Sequence, residues 1–545
     1  MRRNPDQIIQ ELLRLRGVTG DEVPEFLSER PTVAHDPFLL HNMEAGVDLI
    51  LDEIDRGTRI CIYGDYDADG VTSVCIMMCF LRHLTDNIFY YIPSRFTDGY
   101  GLNKNAIERV KAEGAGLIIT VDCGSVSYEE VEYAKRIGLK VIVTDHHAVD
   151  KAKSDCLLIN PKQKECAYPF KGLAGCGVAF KLCQAIRMRT DLPREYLNDC
   201  LDLVAIGTVA DIVPLLDENR TMVKYGIIKI NQGSRMSIRA LLRGISLKHV
   251  YSENISFGIA PHINAAGRLG SAEDAVRLFM AESEEAAIVQ TDILKERNYM
   301  RKSLQDKAYK ECMEIISEED DFIVIFKEDI HEGIGGIVAG KIKEEMNRPC
   351  IIMTQVGDGR IKGTGRSIDT IDLHSFLKEF SDLFDSFGGH RGACGFTMKS
   401  GNEKELRTGI REKIGSMKEE DPDIFHQMSS WDMELAPEEV SLALYSAVKK
   451  MEPFGAGNPL PVFAIKDIIF SDVRYMGDKN QHVKFRAVQA QGDGAGEVEC
   501  ILFGRAGKFA DIIDAGQASL LTGSLDTNTW NGKTKVQFRV EEIIK

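Results

Sequence analysis

Six aspartates and two adjacent histidines stand out, because each closes a run that is otherwise apolar or buried in character. The stretch YGDYDADG, residues 63 to 70, places Asp65, Asp67 and Asp69 at alternate positions and ends in Gly70. Asp122 follows in TVDCG, then Asp145, His146 and His147 in VTDHH, then Asp211 in GTVADIVPL. Hard oxygen ligands mixed with imidazole suit Mn²⁺, Mg²⁺ or Fe²⁺ rather than a thiolate-loving metal. A carboxylate bridging two ions roughly 3.5–4 Å apart is the device by which two-metal hydrolases activate water and clamp a phosphate oxygen. Each motif alone has a plainer reading. An Asp-x-Asp-x-Asp segment is usually a solvated turn or a calcium loop, but a calcium loop needs a Glu where this chain continues VTSVCIMM. Asp122 or Asp211 alone reads as a helix cap or a buried paired acid. The ordered set of four, each closing an element, favours a shared metal site.

The surrounding elements explain how such a site could form. RICIYGDYD, AGLIITVDCG and LKVIVTDHH are short β-branched runs, separated by the helix-compatible VTSVCIMMCFLRHL and SYEEVEYAKRIG. That alternation predicts a parallel α/β sheet, whose strand carboxyl ends bind ligands. The chain before about residue 55 reads helical, and 196 to 310 reads mostly helical, with one long connecting helix or a pair near its end. A second α/β unit begins at DFIVIF and runs to the glycine-rich SFGGHRGACGFTM. After EPFGAGNPLPVF the chain turns β-rich, as expected of a small oligonucleotide-binding (OB) barrel. The expected segments are a helical 1–50, an α/β catalytic domain 51–217, a helical connector 218–318, a smaller α/β domain 319–400, a helical linker 401–455 and the barrel 456–545.

Composition narrows the class. A chain of 545 residues is too long for one core, and 44% hydrophobic with 28% charged residues is ordinary for a globular protein. No apolar run reaches the 18 or so residues of a membrane span, and the first residues, MRRNPDQIIQELLRLRG, lack the pattern of a signal peptide. The 13 cysteines include no Cys-x-x-Cys pair, so reduced thiols in a cytoplasmic setting are expected. A net charge of −16 argues against a generally basic surface and leaves room for a local basic groove. In the β-rich tail Phe485, Phe503, Trp530 and Phe538 are interleaved with Lys479, Lys484, Arg486, Lys533 and Lys535. Trp530, in the polar TNTWNGKTK, is the best candidate for stacking on a base, with Phe485 next.

DYDADG, VDCG, TDHH and GTVADIVPL resemble, in order, the motifs of the DHH phosphoesterase superfamily. IPSRFTDGYGL, INAAGRLGSAEDAV, HEGIGGIVAGKI, GTGRSI, FGGHRGACGFT and EPFGAGNPLPVF resemble its bacterial single-strand-specific 5′→3′ DNA exonuclease branch, over roughly residues 20 to 545. The resemblance implies a DHH domain, a DHHA1 domain and an OB domain. It implies two divalent ions, Mn²⁺ preferred and Mg²⁺ as alternative, held by Asp67, Asp69, Asp122, His146 and Asp211, with Asp122 as bridge. Asp65 and Asp145 would lie at the site or just behind it, and His147 would face the scissile phosphate. Substrate phosphates would meet Arg95, Arg268, Thr364, Arg366 and the GGH segment Gly388, Gly389 and His390. Two departures leave the metal set intact: His262 stands where the branch commonly has Arg, and His331 lacks the usual preceding Trp. The resemblance further implies single-stranded DNA as substrate, release of 5′-mononucleotides, and roles in recombination and repair. A helicase and a single-strand-binding protein are the implied partners of a monomeric enzyme. Two rivals use the same motifs. A phosphoesterase of short oligoribonucleotides or cyclic dinucleotides would have no use for the barrel. A catalytically silent replication-fork scaffold would have lost ligands, and here every position is filled.

Overall fold

The computed structural model describes residues 2–96, 101–149, 156–317, 319–357, 359–425, 430–489 and 496–545. Residues 97–100, within the motif that begins at Ile92, lie outside the described set. The chain divides into two compact units, one of residues 1–260, 276–288 and 429–545, the other of 261–275 and 289–428.

The first unit is built on five parallel strands, β1 (Ile60–Tyr63), β2 (Ile88–Tyr91), β3 (Leu117–Val121), β4 (Lys140–Thr144) and β5 (Leu157–Ile159), in the order β2–β1–β3–β4–β5. ICIY and LIITV are apolar throughout because both sheet faces are covered, so no polar alternation is needed. The helices ahead of the sheet are α1 (Pro5–Leu15), α2 (Glu22–Leu27) and α3 (Met43–Asp55). Those woven through and after it are α4 (Ala68–Leu81), α5 (Lys104–Ala112), α6 (Tyr128–Arg136), α7 (Gly175–Met188), α8 (Arg194–Asn198), α9 (Leu201–Ala210) and α10 (Asp217–Gln232). Cys61 and Tyr63 of β1 share a core with Ile107 of α5 and Val131 of α6 on one face. α4 and α7 pack on the other, and α9 packs beneath both of them. α4 and α9 have no polar face, as expected of helices enclosed on all sides. The strand order reverses between β1 and β3, so their carboxyl ends open a crevice there.

Beyond α10 come α11 (Met236–Gly244), α12 (Ser252–Asn254), α13 (Ala260–Leu269), α14 (Glu273–Phe279) and the 30-residue α15 (Glu284–Met313). The connecting stretch is thus a pair of helices, one short and one long. The second unit holds a mixed sheet of β6 (Ile323–Phe326), β7 (Cys350–Val356), β8 (Arg360–Arg366), β9 (Phe384–His390) and β10 (Ala393–Lys399), ordered β6–β7–β8–β10–β9. α16 (Gly335–Met346) and the end of α15 cover one face through Val338, Ile342 and Cys312. α17 (Leu373–Lys378) and α18 (Glu403–Glu420) cover the other through Phe376, Leu377, Leu406 and Ile410.

The barrel returns to the first unit. After the short β11 (Met433–Glu434) and α19 (Leu442–Lys449), the long strand β12 (Phe463–Met476) pairs with both β13 (His482–Gln489) and β15 (Gln517–Trp530). β14 (Glu497–Leu502) and β16 (Lys533–Ile544) complete a closed five-strand circuit, which removes exposed sheet edges. α1 lays Ile8, Ile9, Leu12 and Leu13 into the same apolar core as Phe463, Phe485 and Phe538 of the barrel. One buried cation ties these parts together. Arg220 of α10, 4% exposed, donates to the Phe26, Met451 and Glu452 carbonyls at 2.8, 3.0 and 2.7 Å. Arg220→Ala leaves those acceptors unpaired, so unfolding in urea should show a loss of about 3 kcal/mol. A change below about 1 kcal/mol would mean water replaces the guanidinium without cost.

Candidate active site and metal centre

β1 stops at Tyr63, and the acidic stretch is a strand-to-helix turn rather than a continuing strand. Gly70 permits that turn, because a Cβ there would lie 2.5 Å from the Asp65 carbonyl oxygen. Asp67 caps α4, its Oδ1 accepting from the Asp69 and Gly70 amides at 2.9 and 3.0 Å. Asp69, in the first turn of α4, is gripped from outside: the Gly175 amide donates to its Oδ2 at 2.7 Å and the Cys176 amide to its Oδ1 at 2.9 Å. Those are the first two amides of α7, a helix N-terminus turned onto a carboxylate. Gly207 of α9 lets the elements close up, since a Cβ there would meet Thr72 Oγ1 at 2.3 Å and Asp69 Oδ1 at 2.8 Å. Neither the α7 amides nor Gly207 was singled out from sequence, although the AGCG ahead of an apolar helix was a signal for the first.

Asp122 directly follows β3 in a left-handed conformation, φ 60°, which an Asp adopts more readily than most residues. Its Oδ1 lies 3.2 Å from His146 Nε2, which is also 3.5 Å from Asp211 Oδ2 and 3.9 Å from Asp69 Oδ2. Asp211 caps the end of α9. Ligand atoms of Asp69, His146 and Asp211 lie within 4.8 Å of one another, as do those of Asp65, Asp67 and Asp122. Asp122 therefore stands in one triad and touches the other.

The electrostatics of this cluster demand a cation. Burial, then repulsion from Asp67, lifts Asp65 well above the usual carboxylate range. Burial, then repulsion from Asp69, Asp67, Asp65 and Asp211, does the same to Asp122. Burial also raises Asp69, and with Asp69 and Asp67 as neighbours pushes Asp211 up to about 8. Burial lowers His146, keeping its imidazole neutral and able to ligate. Asp65 Oδ1, Asp122 Oδ1 and both ring nitrogens of His146 are buried without a hydrogen-bond partner. Unsatisfied oxygens and a neutral imidazole aimed at one another fit divalent metal ions, which would satisfy the lone pairs and lift the repulsion at once.

Asp145 behaves differently. Its Oδ1 accepts from the His146 amide, the His147 amide and His147 Nδ1 at 2.7, 3.1 and 2.7 Å, and its Oδ2 accepts from the Ser125 amide at 2.8 Å. Burial alone would raise it, yet these donors hold it well below the ordinary carboxylate range. Asp145 thus orients His147, whose side chain is 44% exposed. Burial opposes charging His147, but the bond to Asp145 and the nearby carboxylates raise it to about 9. The adjacent histidines are separated by environment into a neutral, buried one and a protonated, accessible one.

Of the expected phosphate contacts, Arg95 belongs to the first unit, where its guanidinium lies 5.2 Å from the Tyr66 ring centroid. The others are in the second unit. Arg268 Nη1 donates to the Gly333 carbonyl at 3.1 Å. Arg366 and Thr364 sit against the first turn of α16, where a Cβ on Gly336 would lie 2.9 Å from each of their side chains. Gly388, Gly389 and His390 are exposed on β9, the edge of the second sheet. In the barrel Trp530 is 76% exposed and Phe503 47% exposed. Phe485 is a correction: it is 1% exposed, packed edge-on against Phe470 in the barrel core, and cannot stack on a base. Lys484 and Arg486 are engaged by Glu499 and Glu497.

Comparison with known proteins follows the same lines. Residues 59–208 match the model of the DHH family N-terminal domain, 319–416 the DHHA1 domain and 431–542 the RecJ OB domain. The single-stranded-DNA-specific exonuclease RecJ of Dickeya dadantii is 31% identical over 99% of this chain and 96% of its own length. That of Bacillus subtilis is 35% identical over 98% of this chain and 67% of its own. The chain belongs to the RecJ family. The crystal structure of RecJ in complex with Mn²⁺ from Thermus thermophilus superposes over the whole of this chain and 79% of that one, with a TM-score of 0.79 and 28% identity. A second RecJ structure, bound to manganese, is 31% identical and covers 72% of this chain and 97% of that one, with a TM-score of 0.63. RecJ from Thermus thermophilus has also been solved with Mg²⁺. Among the described residues no helix is long and apolar enough to cross a membrane.

Proposed function

We propose that this chain is a metal-dependent 5′→3′ exodeoxyribonuclease that hydrolyses single-stranded DNA to 5′-mononucleotides in recombination and repair. The observation that carries the reading is the buried cluster of Asp65, Asp69, Asp122, His146 and Asp211, in which ionisation is suppressed without a cation and Asp65 Oδ1, Asp122 Oδ1 and both His146 ring nitrogens have no hydrogen-bond partner. Asp69, His146 and Asp211 would hold one ion and Asp65 and Asp67 the other, with Asp122 within reach of both groups. Divalent ions bound there supply the positive charge that draws in a phosphate oxygen and lowers the pKa of water. The remaining work falls to side chains. His147, kept protonated by Asp145, donates toward the scissile phosphate and offsets charge as the leaving group departs. Arg95, Arg268 and Arg366 offer guanidinium forks, with Thr364 and the backbone of Gly388, Gly389 and the His390 ring as further donors to phosphates. The reading includes a monomeric enzyme in the cytoplasm, supplied with strands by a helicase and a single-strand-binding protein.

Polarity is tested with a single strand blocked by bound streptavidin at one end. A 5′ block should stop degradation and a 3′ block should not; the reverse pattern would overturn the 5′→3′ assignment. The barrel contributes holding rather than chemistry. Trp530 lies opposite Lys533 at the tip of the β15–β16 hairpin, a stacking surface beside a cation. Trp530→Ala should weaken single-strand binding about tenfold in a fluorescence titration, the cost of one lost base stack. Affinity should also fall steeply with added salt as phosphate neutralisation requires, and a salt-independent affinity would count against a phosphate-tracking groove.

A further inference from the structure

Ten described residues other than glycine hold a positive φ, and nine of them are Asn, Asp or Ser, small polar residues. The tenth is Ile212, φ 58°, directly after Asp211 at the end of α9. A β-branched side chain crowds its own backbone in this left-handed region, where helices usually end on Gly or Asn. The conformation is imposed from both sides. The Asp211 amide donates to the Gly207 carbonyl at 2.9 Å, and the Leu215 amide to the Ala456 carbonyl at 2.8 Å. Packing does not repay the strain, because Ile212 is 75% exposed. The residue carries two costs, a strained backbone and an apolar side chain in water, and the fold recovers neither.

Its position says what could recover them. Asp211 Oδ2 and Asp122 Oδ1 lie 3.5 and 3.2 Å from the same atom, His146 Nε2. Ile212 follows the first of these carboxylates by one residue, and Val126, 59% exposed, follows the second by four. Val126 stands at the tip of a turn closed by the Ser127 amide on the Gly124 carbonyl at 3.0 Å. The Ser125 amide, donating to Asp145 Oδ2 at 2.8 Å, ties that turn to the site. Two exposed branched aliphatic side chains thus adjoin a cluster otherwise made of carboxylates and imidazoles.

We infer that Ile212 is a substrate contact, its side chain packing on the base of a nucleotide flanking the scissile phosphate, with Val126 as a second apolar contact. The inference rests on the exonuclease reading and adds what the charged residues there lack. Metal ions and guanidinium groups hold phosphate oxygens, but every phosphate along a strand offers the same oxygens. Apolar contact with an adjoining base fixes how the strand lies across the metal centre. It does so without regard to sequence, since every base has an apolar face. A base covering Ile212 removes it from water and repays the exposure that the free protein bears.

Ile212→Asn keeps the left-handed backbone and removes the apolar contact. In EDTA and without substrate it should melt at or above the wild-type temperature, because strain is relieved and no packing is lost. In Mn²⁺ its KM for a single strand should rise about tenfold, the loss of one buried aliphatic side chain. Its half-saturating Mn²⁺ concentration should stay within about twofold of wild type, and Ile212→Val should match wild type throughout. A strand with abasic sites on both sides of the first scissile bond should raise the wild-type KM by a similar factor and add little to that of Ile212→Asn. Melting of Ile212→Asn below wild type would show that the side chain is repaid within the fold, and a shifted Mn²⁺ requirement that it acts through Asp211. Either result overturns the assignment, as do an unchanged KM and additive losses on the abasic strand. A wild type that leaves single strands whole would instead sink the exonuclease reading, and this contact with it.

Discussion

Asp122→Ala loses hydrolysis of single-stranded DNA by at least about three orders of magnitude while strand affinity stays within a few-fold of wild type. Its carboxylate is the one that stands in one triad and touches the other, so its removal disables both at once. Its Oδ1 makes no hydrogen bond within the protein, so removing it breaks none there. The same residue carries a stability signature of opposite sign. Its folded-state pKa is raised well above the unfolded value, as is that of Asp211, at about 8. Such groups stabilise the fold fully below the unfolded carboxylate pKa, and that contribution is lost as pH rises toward 8. In EDTA the melting temperature of the wild type should therefore fall from about pH 4.5 to pH 8, and Asp122→Asn should melt higher than wild type at pH 8. Adding Mn²⁺ should reverse that order, because only the wild type gains a full set of ligands. Calorimetric melting curves at several pH values check this. Residual cleavage by Asp122→Ala, or a variant that melts below wild type in EDTA, would mean the bridging role is misplaced.

Gly207→Ala should cost about a hundredfold in kcat or in apparent Mn²⁺ affinity, although Gly207 bears no functional group. The added Cβ would lie 2.3 Å from Thr72 Oγ1, 2.6 Å from Cys176 Sγ and 2.8 Å from Asp69 Oδ1. α4, α7 and α9 meet there without slack, so the carboxylate or the α7 amides must move. Mn²⁺ titrations of the hydrolysis rate separate the two outcomes, and far-UV circular dichroism confirms that the fold persists. Wild-type kinetics would show that Asp69 tolerates displacement and that the α7 amides do not set its position.

Much of this centre was legible in the sequence because parallel strands buried on both faces read as unbroken apolar runs. The residue after each run then stands out: Asp65 after ICIYG, Asp122 after LIITV, Asp145 and the histidines after VIVT. What the sequence left open was the division of labour. Asp145 and Asp65 look alike as letters, but one spends both oxygens on donors while the other keeps an oxygen without any. That difference depends on side-chain direction, which spacing does not encode. The grip of α7 on Asp69 was hidden for another reason: backbone amides have no letter of their own. Phe485 shows the converse, a legible feature passed over. Val483, Phe485 and Ala487 alternate along β13 with Lys484 and Arg486, and period-two alternation already puts the aromatic ring inside.

The carboxylate–histidine cluster, on this reading, uses divalent metal to cut single-stranded DNA. Incubating a labelled single strand and the matching blunt duplex with the whole chain, once in Mn²⁺ and once in EDTA, tests that most directly. Release of mononucleotides from the single strand in Mn²⁺ only, with the duplex left intact, is the result expected. Cleavage that survives EDTA, or a single strand left whole in Mn²⁺, would contradict it.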